Sequence, residues 1–450
     1  RRAAMSVERQ LGVRTAALLV VASMVGTGVF TTTGFLVRDL QSAPAVLVAW
    51  LLGGLTALCG ALSYGELTAA LPANGGEYAL LSRAYHPLVG FVAGFVSLVV
   101  GFAAPTAASA IAFGKYLHRV VPGGPEGWPA LAGVALILLT SLLHVATVRR
   151  GSRFQDLATG AKVLFILAFV LAGLGRGEPG RLLEGDAPLV DAVTSGPFAV
   201  GLVYVAFAYT GWNAAAYVAG ETRDPGRNLP RALALGTGVV MLLYLGLNGV
   251  FLAAAPAEAL AGEVEVGHVA AEALFGAPAS RLLSAIIALG LVSTVGAQIM
   301  TGPRIYEAMG RDHPKLGLLA RRRAGGGPIW ATLLQAGASI AMALTASFDA
   351  LLVYTGVTLS LFAALTAGGV FLLRWREPEL ARPYRTLGYP LTPLVFLALS
   401  AWMIAHSIRE RPVVAAWAGG TLVLGVVAWA LLADRALPRV PDDARGTPRG

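Results

Sequence analysis

Twelve stretches of the chain are continuously apolar and of helix length, separated by short polar connectors: 14–37, 44–71, 88–117, 129–148, 157–175, 197–219, 232–255, 281–308, 329–346, 350–373, 390–408 and 413–433. A hydrocarbon core of about 30 Å is crossed by about 20 helical residues, so each stretch is expected to span a bilayer as an α-helix. A membrane β-barrel would need alternating segments of about ten residues instead, and these runs do not alternate. Two shorter patterns, at 72–87 and from Glu263 to Leu274, predict helices lying on the bundle. The tail 434–450, with Pro438, Pro441 and Pro448 among several charges, is expected to be disordered.

Composition sharpens this picture. The chain is 56% hydrophobic and 13% charged, with a mean hydropathy of +0.69. Soluble domains run near 45–50% apolar and about 25% charged. A cytosolic enzyme, a secreted disulfide scaffold and a disordered protein are thereby excluded. Cys59 is the single cysteine, so no intrachain disulfide forms. The net charge of +9 is carried in short clusters between apolar runs and forms no basic stripe, which argues against a nucleic-acid partner. Of 34 lysines and arginines, 24 fall on the side shared by both termini and 8 on the other, with Lys162 and Arg304 inside spans. Basic residues favour the cytoplasmic side, so both termini are expected there. The first apolar run holds Gly-Thr-Gly and no small-residue cleavage site, and so reads as a span rather than a signal peptide.

Catalysis has little to work with. The six histidines show no metal-ligand spacing, and no P-loop, H-E-x-x-H or nucleophile elbow is present. No metal, cofactor or enzymatic activity is expected. The chemistry lies instead at two interruptions of the helical signal near mid-membrane depth. Gly26-Thr27-Gly28-Val29-Phe30 lies halfway through the first span, and Phe207-Ala208-Tyr209-Thr210-Gly211-Trp212 halfway through the sixth. Unwound backbone offers amide donors and carbonyl acceptors, and it is tolerated at that depth only where it lines a cavity or binds something. Close packing through small residues is the competing reading for a lone Gly-x-Gly. Paired breaks at corresponding places of two halves point to a transporter site.

At these residues the sequence resembles the amino acid–polyamine–organocation (APC) transporter superfamily, in particular bacterial relatives of the L-type neutral amino acid transporters. The resemblance rests on V-G-T-G-V-F (25–30), S-Y-G-E-L (63–67), P-A-N-G-G-E-Y (72–78) and F-A-Y-T-G-W-N (207–213) running into G-E-T-R-D-P-G-R-N-L-P-R-A (220–232). It continues through G-P-R-I-Y-E-A-M-G-R-D (302–312) and R-P-Y-R-T-L-G-Y-P-L-T-P (382–393), and covers residues from about 10 to 400. It implies an all-α polytopic membrane protein of 12 transmembrane helices in a 5+5 inverted repeat, with helices 1 and 6 broken. The segments would be a cytoplasmic N-terminus (1–13), a first repeat (14–175), a second repeat (197–373) and two peripheral helices (390–433).

Position by position, the resemblance assigns the substrate α-carboxylate to Met24, Gly26, Thr27 and Gly28. It assigns the α-ammonium to carbonyls around Phe207, Ala208 and Thr210, with Phe207 also the aromatic that closes over the substrate. Lys162 is the sole lysine away from the ends of a span, and an ionisable residue at such depth is a functional candidate; a side chain reaching back to the interface is the alternative. The resemblance makes it the replacement for a sodium ion between spans 1, 5 and 8, which argues for sodium independence and leaves open whether its proton cycles. Asn213 and Tyr244 are candidates to support the unwound backbone, and Glu221 and Arg304 for an inner gate or ordinary ion pairing.

Side-chain selectivity falls by depth to Gly101–Thr106, Leu291–Thr294 and Val357–Leu361, none of which carries a charge. A charged substrate side chain there would lack a partner in low dielectric, so neutral amino acids are expected to be preferred. The expected function is secondary transport of neutral L-amino acids, by exchange or proton coupling, in a bacterial inner membrane. A carrier of cationic amino acids or polyamines, and a transporter-shaped nutrient sensor, are the alternatives. Animal L-type relatives carry a cysteine in the loop between spans 3 and 4 that bonds a partner; the corresponding loop, His118 to Trp128, has none, so no disulfide-linked subunit is expected.

Overall fold

The structure is a computed structural model that describes residues 11–72, 76–146, 151–185, 188–322 and 327–433, with the backbone alone at 146 and 151–159. The expected disordered tail and most of the segment 1–13 lie outside the described residues. The first span is divided into α1 (Val13–Met24), α2 (Gly28–Thr31) and α3 (Thr33–Leu40). The second is α4 (Ala43–Ala70), opened by Ser42, whose hydroxyl accepts the amide of Ala45 at 3.3 Å. The connector that follows holds α5 (Gly76–Ala84). The third span is α6 (Pro87–Val96), a π-helical stretch at Ser97–Ala103, and α7 (Ala104–Val120). Then come α8 (Trp128–Ala146), α9 (Gly151–Leu174) and the short α10 (Leu189–Thr194). The sixth span is α11 (Gly196–Ala208), a turn, and a 3₁₀ helix at Ala214–Glu221. α12 (Pro225–Ala254) is the seventh; the connector after it carries α13 (Ala257–Leu260) and α14 (Val266–Phe275). α15 (Ala277–Asp312), α16 (Ile329–Thr345), α17 (Phe348–Arg376), α18 (Leu391–Glu410) and α19 (Pro412–Leu432) complete the chain.

This is an all-α polytopic membrane protein. Nine helical runs among the described residues are long and apolar enough to cross a bilayer. The other three expected spans are shorter for visible reasons. α9 is described with side chains only from Gly160, α11 stops at the second break, and α16 has 17 residues. Both helices expected on the bundle are present as α5 and α14.

Polar contacts sort the span ends into two sets. On the basic-rich face, hereafter inner, Glu66 at the end of α4 receives two bonds from Arg374 of α17, at 2.8 and 2.7 Å, and two from Thr386 at 2.7 Å. Arg83 of α5 pairs with Glu377, and Lys315 reaches the carbonyl of Leu431 at 2.7 Å. On the outer face Arg119 meets Glu265 at 3.1 Å, and Arg181 caps the carbonyl of Ala254 at 2.9 Å. Large leucines of α8 and α9 point away from the protein, Leu139 at 61% and Leu171 at 65% exposed, as a lipid-facing surface requires.

Candidate functional site

The two breaks meet at the centre of the bundle. Helical geometry ends at Met24, and Val25 turns out of it at φ −73°, ψ 81°. In the sixth span α11 ends at Ala208, and Gly211 carries the chain through the left-handed region at φ +97°. A side chain at Gly211 would strain that turn and strike the backbone of Ser23, 2.6 Å from where its Cβ would lie. Gly28 stands directly on Ala208: a Cβ there would lie 2.4 Å from the Ala208 Cα. Glycine is required at both places so that one break can lie against the other.

Three side chains from neighbouring spans hold the unwound segments. Tyr244 of α12, fully buried, donates to the carbonyl of Met24 at 2.6 Å and lies 3.3 Å from that of Ala208, touching both breaks with one hydroxyl. Thr27 shares a 2.5 Å hydrogen bond with Ser109 of α7. Lys162 of α9 is 8% exposed; its Nζ donates to the carbonyl of Val25 at 3.1 Å and to Thr294 Oγ1 of α15 at 3.4 Å. The ammonium therefore bridges spans 1, 5 and 8 and does not reach the interface. Asn213 bonds not to unwound backbone but to a carboxylate, Glu77 Oε1, at 3.0 Å.

A cavity of about 380 Å³ opens beside the breaks. Gly26, Thr210, Asn213 and Lys162 line it. Met24, Thr27, Gly28, Phe207, Ala208 and Tyr244 lie behind its wall, buried against one another. The Phe207 carbonyl accepts the Thr210 hydroxyl at 2.7 Å. All three segments expected to set selectivity contribute, through Gly101, Phe102 and Pro105, through Thr294, and through Leu359 and Ser360.

The cavity extends from the breaks toward the inner face, past Gln298, Thr301 and Arg304 of α15 and Tyr217 and Val218 of the 3₁₀ helix. Toward the outer face the same spans are sealed. Phe35 stacks on Phe348 with centroids 6.0 Å apart and lies 5.8 Å from Tyr204. Above them Asp349 accepts Tyr204 at 2.5 Å and meets Arg411 at 3.3 Å and Arg38 at 3.4 Å. The conformation is open toward the basic-rich face and closed toward the opposite one.

Sequence reading missed three features of this cavity. The π-helical stretch at Ser97–Ala103 supplies Ser97, Gly101 and Phe102, and its apolar composition hides it among its neighbours. Glu77 of α5 is a carboxylate on the wall, visible in the sequence only as part of a motif. Gln298 faces the cavity with its Oε1 buried and unbonded. Arg304 lines the cavity, yet among the described residues no ion pair joins it to Glu221; ten residues past Thr294 place it about 15 Å further along the helix. Among the described residues no three histidine, cysteine, aspartate or glutamate side chains gather as a metal site.

A helical bundle with two broken spans meeting at a one-sided cavity defines a membrane carrier, and comparison with known proteins specifies it. The chain belongs to the amino acid permease family, whose model matches residues 11–431. It is 28% identical over 437 residues to the human large neutral amino acids transporter small subunit 2, covering 94% of this chain and 80% of that one. The mouse Asc-type amino acid transporter 1 is 26% identical over 419 residues, covering 91% and 78%. The Bacillus subtilis serine/threonine exchanger SteT is 25% identical over 406 residues, covering 89% and 91%.

Proposed function

We propose that this protein is a sodium-independent secondary transporter that exchanges neutral L-amino acids across the membrane by alternating access. The observation that carries the reading is the Lys162 ammonium, bonded to the carbonyl of Val25 at the first break and to Thr294. A fixed cation at this point supplies the charge that a bound sodium ion would otherwise bring to the unwound backbone. The substrate carboxylate is then taken by the amides at Gly26, Thr27 and Gly28, beside Met24, where the outer half-helix begins, with the Gly26 amide leaving the Met24 carbonyl to which it donates at 2.8 Å. The ammonium goes to carbonyls at Phe207, Ala208 and Thr210, displacing the Thr210 hydroxyl from Phe207.

The side chain lies against Gly101, Thr294, Leu359 and Ser360, which bear no charge. An apolar group there gains about 0.8 kcal/mol per buried methylene, whereas an unpartnered charge loses several. We place both termini and Gly317 on the cytoplasmic side of a bacterial inner membrane, supported by the basic asymmetry, and read 14–175 and 197–373 as inverted repeats. The family and its relatives support transport rather than catalysis. The single cysteine lies in α4, away from the His118–Trp128 loop, which supports function without a disulfide-linked subunit.

Competition by unlabelled amino acids against a transported neutral substrate in proteoliposomes tests the assignment. Alanine, leucine or serine should compete at least about tenfold better than arginine, lysine, agmatine or glutamate, a difference of about 1.4 kcal/mol. Equal competition by arginine or agmatine would move a cation carrier, with Glu77 as counter-ion, to first place.

A further inference from the structure

Of the charged groups on the cavity wall, Glu77 is the carboxylate, and the transport reading leaves it without a task. It sits in α5, in the connector between the second and third spans, and is 6% exposed. Its Oε1 accepts Tyr64 Oη of α4 at 2.6 Å and Asn213 Nδ2 of the second break at 3.0 Å. Among the described residues no lysine or arginine forms an ion pair with it, whereas Glu66 and Glu307 each have two arginine partners.

The groups facing it can be named element by element. Tyr64 approaches from α4, and Asn213 and Tyr217 from the sixth span; the Tyr217 ring would lie 2.3 Å from a Cβ on neighbouring Gly76. α6 brings no charge, and α17 meets α5 at its far end, where Arg83 pairs with Glu377. Tyr78 of α5 donates to Asp312 of α15 at 2.8 Å. Arg304 lines the same cavity. α5 is thus a strap tied by Tyr78 and Arg83 to spans 8 and 10, and by Glu77, its one carboxylate, to spans 2 and 6.

We propose that Glu77 is a proton-binding site of the inner mouth, and that its charge sets how firmly α5 holds the second break. Ionised, the carboxylate accepts both donors in charge-assisted bonds; protonated, it keeps neutral bonds about half as strong, and the strap holds the segment after Gly211 less firmly. Burial pushes this carboxyl above the usual carboxylate range, against the opposing hydrogen bonds from Tyr64 and Asn213. Protonation therefore lies nearer to the pH of the compartment the mouth opens into. The site is separate from Lys162, and it makes transport answer to pH on the inner side.

The test is exchange by purified protein in proteoliposomes of known orientation, with inner-side pH varied while outer-side pH is held constant. The wild type should show a single titration of exchange rate with inner-side pH, and Glu77→Gln should flatten it. Tyr64→Phe, which removes a donor to the ionised form, should move the midpoint upward by at least about half a pH unit. A Glu77→Gln profile with the wild-type slope, or an unmoved midpoint in Tyr64→Phe, overturns the proposal. Infrared difference spectroscopy during the titration provides a readout that needs no substrate: the carbonyl-stretch band of a protonated carboxyl should be present in the wild type and missing in Glu77→Gln. Its presence in both contradicts the proposal whatever the protein transports.

Discussion

The outer and inner halves of the bundle are built from the same spans but filled differently. Outside the breaks, Phe35, Tyr204 and Phe348 pack together under a cluster of Arg38, Asp39, Asp349 and Arg411, so that spans 1, 6 and 10 and the turn between 11 and 12 are tied at one level. Inside the breaks the facing residues include Gly26, Gly101, Gly211 and Gly356, and they leave a cavity. The polar ties there lie at its edges: Glu66 with Arg374, and Glu307 with Arg311 and Arg322. A carrier caught with one half closed is expected to look like this. The halves meet in the plane of the two breaks, where Tyr244 fixes one break relative to the other and Lys162 ties the first break to spans 5 and 8.

That plane is where the comparison breaks most readily. Lys162→Ala removes the donor to the Val25 carbonyl and, among the described residues, the one charged side chain bonded to the first break. Exchange should fall at least about thirtyfold, the order expected when a buried acceptor is left unsatisfied and a charge is lost together, about 2 kcal/mol. Initial-rate counterflow with the purified, monodisperse variant measures it, and a rate within twofold of wild type would mean that the ammonium is an idle structural tie.

Tyr244→Phe is a milder cut at the same level. It removes the hydroxyl bonded to Met24 and close to Ala208 while preserving the ring packed edge-on to Trp50. About tenfold loss of exchange is expected, from one to two neutral hydrogen bonds of about 1 kcal/mol each.

The smallest effect belongs to the outer seal. Arg411→Ala removes a partly exposed partner of Asp349 and Asp39, a kind of pair that contributes about 0.2–1 kcal/mol. The balance should shift about twofold toward the outward-open state. Labelling of Ala206→Cys, on the cavity wall, by an impermeant thiol reagent from outside, in a Cys59→Ala background, should accelerate by that factor and more so at low salt.

The spans were legible because twenty-residue apolar runs have no other stable home, and Gly28 and Gly211 marked the breaks because glycine interrupts those runs. Lys162 was legible as a lone ammonium in an apolar stretch, and its contacts fall on spans 1 and 8 as the resemblance implied. The π-helical stretch was not legible, since Ser-Leu-Val-Val-Gly-Phe-Ala suits an α-helix equally well. Glu77 was read only as a letter in a motif, because its partners Tyr64 and Asn213 are 13 and 136 residues away and only the folded chain brings them together. The residues placed behind the cavity wall, such as Phe207, show a further limit: sequence locates the breaks but not which side chains face the cavity in a given conformation.

Uptake of a labelled neutral amino acid into proteoliposomes, with internal unlabelled neutral amino acid present or absent and with sodium replaced by choline, tests the central claim most directly. Uptake should be accelerated several-fold by the internal substrate and should be unchanged by removal of sodium. Uptake that vanishes in choline would contradict the assignment of Lys162 to the place of the ion.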